Sequence, residues 1–291
     1  MRTIIITFCL ILNTALISFA QDPDNNYLRE KDISGPIKSL HETVFKADNK
    51  SDKIITGKKI NNSFNYESKV ILNQKGYKIE ETRYNFDGKP SINLKYSYNE
   101  KQNCTEEDRY NGDGNLANKR LFNYKYDETG KLIEENWIND NGIASKAMYK
   151  YDLKGNIVEK SFFKLDGTLD WKTTSVYDSN NNIIENIDWN SKGKIDWRTT
   201  YKVNDKGKVV EETLYKRGTK FYIMYKTEYD SFGNKTKTNW CLESGKVYAT
   251  WTYTYEFDKN NNWTKAIELN PVKAGFLSAR DEYVILRQIE Y

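Results

Sequence analysis

Six glutamates stand at one position of a recurring pattern: Glu80, Glu106, Glu134, Glu159, Glu185 and Glu211. Each follows by eight residues a pair such as Tyr151-Asp152. Carboxylates in register could form a strip for cations or sugars. Two of them about 5–9 Å apart could serve as acid and base in glycoside hydrolysis. A position repeated along the chain is a scaffold property, however, whereas catalysis needs one distinctive cluster. The plainer reading is solubility, with ion pairs to Lys or Arg on neighbouring strands. The tryptophans Trp171, Trp189, Trp197, Trp240 and Trp251 raise a parallel choice between a stacking platform for glycans and the packing of a thin sheet. The best surface-binding pair is Trp171 and Trp197, in the matched segments LDWKTT and IDWRTT. The candidate ligand-binding set is therefore Trp171, Trp197, Trp251, Glu159 and Glu185, with a glycan or an envelope protein as partner.

Other chemistries find little support. His41 is the single histidine, which argues against histidine-rich zinc sites and against Ser-His-Asp or Cys-His catalysis. Asn111–Asn115 and Asp178–Asn182 have the oxygen-rich spacing of calcium loops but lack the closing bidentate Glu. No phosphate-cradling glycine loop, dinucleotide fingerprint or nucleophile elbow is present. We expect no catalytic residues, no metal site and no cofactor. The net charge is only +4, with both signs interspersed, so no nucleic-acid footprint is expected.

The elements that carry these residues follow from composition and period. Aromatics make up 14% of the 291 residues, with 22 Tyr and 7 Trp against 4 Pro. That balance favours strands. Aligned on Tyr151-Asp152, equivalent pairs begin at Leu72, Tyr98, Tyr126, Tyr177, Val203, Tyr229 and Phe257, spaced by 25 to 28 residues. Periodicity of this size marks a repeat architecture. Glycines test the alignment. Gly76, Gly130, Gly155, Gly207 and Gly233 fall four residues after an anchor. Gly88, Gly114, Gly142, Gly167, Gly193, Gly218 and Gly245 fall fifteen or sixteen after one. Hairpin loops need positive φ, which Gly tolerates freely and Asn fairly well. An Asp or Asn after the anchor can bond to the turn's own amides. Each repeat is therefore two strands and two turns.

Incoming strands alternate cleanly, as in Phe122-Tyr124-Tyr126 and Tyr253-Tyr255-Phe257. Outgoing strands do not. Ile157-Val158 and Ile183-Ile184 put two apolar residues in succession, which implies either a bulge or two partly buried faces. The fold expected is all-β: an elongated antiparallel meander of two-strand repeats of about 26 residues, curled into an open shell or coil.

The organisation expected is a signal peptide at 1–20, a lead-in with first strands at 21–71, eight repeats at 72–265 and a capping strand at 266–291. Arg2, the apolar run Ile4–Ile17 and Ser18-Phe19-Ala20 before Gln21 carry the export signal. No later stretch could span a membrane as a helix. Cys104 and Cys241 lie about five repeats apart and are expected to stay unbridged.

YDETGKLIEEN, YDLKGNIVEKS and YDSFGNKTKT resemble the YD repeats of Rhs-type proteins, over about 72–265. The resemblance implies curled β-sheet shells and an envelope or secreted setting, bacterial in kind. Large members of that family enclose a toxin domain. Here the period is a few residues longer, eight units are too few for a closed chamber, and no effector segment is recognised. The expectation is a non-catalytic exported scaffold or binding surface. Alternatives are a carbohydrate-binding or glycan-processing protein and an accessory of an Rhs-type toxin system. Function is expected where a repeat breaks its rule, as at Gln102-Asn103-Cys104 or Trp240-Cys241.

Overall fold

The computed structural model describes residues 33–50, 53–61, 66–139, 142–272 and 282–291; the expected signal peptide and residues 21–32 of the lead-in lie outside them. The described elements are strands: β1 (Ser39–Lys50), β2 (Lys53–Lys59), β3 (Ser68–Leu72), β4 (Lys78–Tyr84), β5 (Pro90–Tyr98) and β6 (Cys104–Asn111). They continue with β7 (Leu116–Tyr126), β8 (Leu132–Asn139), β9 (Gly142–Tyr151), β10 (Ile157–Phe163), β11 (Leu169–Tyr177), β12 (Ile183–Asn190) and β13 (Ile195–Val203). The last are β14 (Val209–Lys216), β15 (Lys220–Tyr229), β16 (Lys235–Cys241), β17 (Val247–Phe257), β18 (Trp263–Val272) and β19 (Tyr283–Glu290).

All 19 strands belong to one antiparallel sheet, each of β3 to β18 bonded to the next in sequence. The sheet then closes. β19 pairs with β1 from Ser39↔Glu290 to Lys46↔Tyr283, and β1 pairs with β3 from Ser39↔Ile71 to Glu42↔Ser68. β2 pairs with the distal part of β1, so the ring itself is an 18-strand barrel. This corrects the open shell or coil expected from the sequence. An open meander would leave two edges of unpaired N–H and C=O groups. β1 removes both by standing between strands from opposite ends of the chain. β19, within the segment 266–291 expected as a capping strand, is paired on both sides. The seam is tied further. Arg287 Nε donates to Glu42 Oε2 at 3.0 Å, and Ser39 Oγ to Glu290 Oε2 at 3.0 Å. Asn262, in the last Tyr-Asp-type turn, accepts from Ser34 N and donates to Ser34 O and to the Tyr291 hydroxyl.

The turns explain why these residues make hairpins. In Asp152–Gly155 the Gly155 amide donates to Asp152 O at 3.1 Å, and Asp152 N donates to Asn156 O. That is a type I turn followed by a left-handed residue forming a G1 bulge. Asp152 Oδ1 accepts from the Lys154 and Asn156 amides, both at 2.9 Å. The same backbone pattern recurs at the opposite rim, for example at Lys164–Thr168. The twelve glycines of the two columns have φ between 68° and 101°. Where the first column lacks glycine, Gln102, Asn181 and Asn261 take φ of 64°, 64° and 61°. The register shifts beside each such turn, as between Ile157 and Glu159, so the outgoing strands carry bulges.

The anchor tyrosine has a role that the period alone did not reveal. The Tyr151 hydroxyl donates to Leu132 O at 2.7 Å, Tyr177 to Ile157 O at 2.9 Å and Tyr229 to Val209 O at 2.9 Å. In each case the ladder between hairpins stops short of that carbonyl, as β8 and β9 pair only from Glu134↔Met148 onward. The phenol satisfies an acceptor that the divergent strands leave over. Each repeat is thereby bolted to the one before it.

With about 4.8 Å between strands and a tilt near 40°, eighteen strands enclose a backbone cylinder roughly 35 Å across. Among the described residues the strands meet their ladder neighbours, and beyond these only marginally, as β1 meets β18. The hydrophobic clusters accordingly run along the wall. Leu40, Val70 and Leu72 pack at the seam, Leu132, Ala147 and Phe162 at β8–β10, and Leu214, Ile223, Trp240 and Trp251 at β14–β17.

Candidate functional site

Register assigns each side chain to a face. One face carries Leu40, Val70, Glu81, Leu94, Glu107, Phe122, Glu135, Ala147, Phe162, Leu214, Trp240 and Trp251, all buried. The other carries mostly half-buried or exposed polar residues, such as Lys95, Lys119, Lys125, Lys150, Lys202 and Lys226. Side chains converge on the concave side of a closed sheet and splay on the convex side. The buried, aromatic face therefore lines the lumen, and the charged face is the outer wall.

This division splits the candidate ligand set. Glu159 and Glu185 lie outside. Glu159 is held between Lys150 at 2.8 Å and Lys172 at 3.0 Å, and Glu185 is paired to Arg198 at 2.5 Å. Burial alone would act against its charge, but Lys150 first and Lys172 after it hold the Glu159 carboxyl below the usual range. The column continues in the same manner: Lys119–Glu106 at 2.7 Å, Lys125–Glu134 at 2.7 Å and Lys202–Glu211 at 2.7 Å. The last two repeats reverse the signs, as Lys237–Glu228 at 3.1 Å and Lys265–Glu256 at 2.7 Å. These glutamates form an ion-pair belt.

Trp171, Trp197 and Trp251 face the lumen but do not meet. Trp171 stacks on Phe162 with centroids 3.8 Å apart. Trp251 is buried against Trp240 at 4.4 Å. Trp197 makes an edge contact with Tyr222 at 5.1 Å. Trp171 and Trp197 are separated by β12 and offset by two residues in register, so this pair does not stand side by side. Trp189 is on the outer wall, opposite Lys172, with Nε1 donating to Thr174 Oγ1 at 3.0 Å.

The lumenal carboxylates are residues the sequence reading passed over. They sit one position after the outer column, in doublets such as Glu80-Glu81, Glu106-Glu107, Glu134-Glu135 and Glu211-Glu212. In a strand, one of two adjacent residues faces out and the other in, so the doublet itself was the signal. Glu81 binds Arg83 Nε at 2.7 Å and Lys78 Nζ at 3.0 Å. Glu107 binds Arg120 at 3.0 Å, and Glu135 accepts from the Tyr149 hydroxyl at 2.8 Å. The wall from β11 to β15 differs. Asp188 accepts from Thr173 Oγ1 at 2.6 Å, and Glu212 has no hydrogen-bond or ion-pair partner among the described residues. Burial raises both carboxyls, opposed at Asp188 by the Thr173 hydrogen bond and at Glu212 by the charge of Lys235.

Asp188 and Glu212 are not an acid–base pair. They lie two strands apart and four residues apart in register, which is on the order of 16 Å. Glycoside hydrolysis needs roughly 5–9.5 Å.

The rule-breaking segments have structural explanations. Gln102 takes the left-handed position of the missing glycine. Asn103 is buried and donates to the Tyr126 hydroxyl. Cys104 and Cys241 are free, buried thiols, and burial pushes Cys104 up to about 12. The calcium-like loops are rim turns, in which Asn111 Oδ1 and Asp178 Oδ1 each accept two backbone amides.

No family model and no curated protein matches the chain. A porin-like protein from Bacteroides uniformis ATCC 8492 is 12% identical with a TM-score of 0.42, over 88% of this chain and 99% of that one. A porin-like protein from Bacteroides vulgatus ATCC 8482 is 11% identical with a TM-score of 0.35, over 87% and 98%. TcdB2-TccC3 without its hypervariable C-terminal region is 11% identical with a TM-score of 0.25, over 75% of this chain and 16% of that one. Likenesses at these scores transfer neither a detailed structure nor an activity.

Proposed function

We propose that this chain is an exported, non-catalytic barrel of the bacterial cell envelope, with a wall that serves as scaffold and a lumen that serves as binding surface. The observation that carries this reading is the segregation of the two faces. Aromatic rings and individually distinct polar groups line the lumen, and a repeated belt of ion pairs covers the outside. The export signal and the YD-repeat resemblance support the setting. The separation of Asp188 from Glu212, on the order of 16 Å, supports binding rather than hydrolysis by that pair.

The outer belt also selects the surroundings. Lysines on a lipid-facing strand near the bilayer midplane cost about 2–4 kcal/mol each. Lys95, Lys119, Lys146, Lys172 and Arg198 all sit on the outer face in the middle stretch of their strands. The barrel therefore stands in an aqueous compartment, either periplasmic or at a membrane surface, and does not use its wall to cross a bilayer. Expression in a Gram-negative host followed by fractionation tests this. The chain should begin at Gln21 and leave the membrane fraction on alkaline carbonate extraction. Release only by detergent would refute the assignment.

A further inference from the structure

The sequence Asp-Trp-Lys-Thr-Thr at 170–174 on β11 is matched by Asp-Trp-Arg-Thr-Thr at 196–200 on β13. Register turns the Trp and the first Thr of each copy into the lumen, with Thr173 across from Asp188 and Asp188 across from Trp197. β12, between the copies, adds Asn186, which stands between Ser175 and Thr199. Ser175 Oγ donates to Asn186 Oδ1 at 2.7 Å, and Thr173 Oγ1 to Asp188 Oδ1 at 2.6 Å. The wall here is thus floored by short polar side chains.

That floor is unlike the aromatic stretches of the lumen, where bulky rings cover one another. Phe122 stacks on Trp137, Phe162 on Trp171, and Trp240 packs against Trp251. Among the described residues the Trp197 ring meets Tyr222 edge-on, and Lys216 Nζ stands 5.9 Å from its ring centroid. The result is a trough two strand spacings wide, about 10 Å, with an indole at one end and fixed hydrogen-bonding groups along its base. The unpaired Glu212 lies beyond its other end, beside Tyr201 and Tyr225.

We infer that this trough is an oligosaccharide-binding site. The inference rests on reading the lumen as the binding surface. A pyranose has a flat apolar C–H face that suits an indole and a rim of hydroxyls that suits a carboxylate, an amide and hydroxyls. Both requirements meet here on adjacent strands. A site for an apolar ligand would not be floored by Thr173, Asn186 and Thr199, whose polar groups would lose water without compensation. The site binds without cleaving: Glu212 lies on the order of 16 Å from Asp188, and Asp196, whose charge reaches Asp188, is exposed and accepts from Asn190 Nδ2.

Calorimetric titration of the purified mature chain with cellohexaose, chitohexaose, maltohexaose and mannohexaose tests the inference. At least one should bind. Trp197→Ala should weaken it by about tenfold or more, which is about 1.4 kcal/mol. Trp197→Tyr, which keeps a stacking ring and guards against loss of fold, should recover most of that. Asp188→Asn should weaken binding several-fold, and Trp189→Ala on the outer wall should change it less than twofold. No binding of any hexaose overturns the inference, as does binding that survives Trp197→Ala or is abolished by Trp189→Ala. These outcomes leave the carbonate extraction result untouched, so the failure of the site and the failure of the envelope-barrel assignment are separately visible.

Discussion

Glu81→Gln separates a lumenal carboxylate from the outer belt in one measurement. Glu81 is 4% exposed on β4 and accepts from Arg83 Nε at 2.7 Å and Lys78 Nζ at 3.0 Å. Burial alone would raise its pKa, but Lys78 and Arg83 more than offset that and hold it at about 2, against 4.5 for an ordinary glutamate. A folded-state pKa below the unfolded value stabilises the fold above pH 4.5, and that stability is lost as pH falls toward 2. The difference corresponds to roughly 3 kcal/mol at pH 7 and roughly 1.4 kcal/mol at pH 3. Glu81→Gln removes the charge and leaves the half-buried Arg83 and Lys78 without their counterion, a change that costs about 3–5 kcal/mol where both partners are fully buried. Urea unfolding followed by tryptophan fluorescence should therefore show the variant less stable by about 3 kcal/mol at pH 7. That gap should narrow by about 2 kcal/mol at pH 3. A gap that stays constant or widens toward acid would refute the electrostatic account of this wall. A variant as stable as the parent at pH 7 would do so as well.

Other outcomes follow from the same geometry. Glu159→Gln, on the outer wall between Lys150 and Lys172, should cost no more than about 1 kcal/mol in the same assay. Gln102→Gly relieves a φ of 64° in the left-handed region and should stabilise the chain by about 1 kcal/mol, read as a rise in melting temperature. Tyr151→Phe deletes the 2.7 Å bond to Leu132 O and strands that carbonyl, so it should cost about 1–2 kcal/mol. Neither Cys104 nor Cys241 should react with a disulfide reagent at pH 8 in the folded chain, since both are buried and burial raises both thiols. Both should react after denaturation in guanidinium.

Local chemistry was legible in the sequence because its causes are local. A glycine or asparagine at positive φ, an Asx side chain over a turn and a tyrosine before it each act within one repeat or between neighbours. Closure was not legible, because Ser39 and Glu290 meet across 251 residues and no periodicity joins them. The facing of side chains was hidden for a different reason. Each turn inserts a bulge, so counting by twos from a turn residue such as Ile157 puts Glu159 on the wrong face. Trp171 and Glu159, named together as candidate ligand residues, lie on opposite sides of the wall.

The bulge also separates what the repeat must keep from what it is free to change. Eight residues after the anchor the side chain faces outward, and the column reads Glu80, Glu106, Glu134, Glu159, Glu185, Glu211, Lys237 and Lys265, each charged. One residue later the side chain faces inward, and the column reads Glu81, Glu107, Glu135, Lys160, Asn186, Glu212, Thr238 and Ala266. A uniform outer column is what a belt of pairwise charges in water requires of every strand. A varied inner column is what a lumen requires if different parts of its wall meet different parts of a ligand. Changes at the uncharged inner positions Asn186 and Thr238 should therefore alter what is bound with little effect on assembly of the ring, unlike changes at Glu81, Glu107 and Glu135, which are tied to Lys78 and Arg83, to Arg120 and to Tyr149. Reversing the charge of an outer residue, as in Glu211→Lys between Lys202 and Lys226, should weaken the wall and leave the trough at β11–β13 intact.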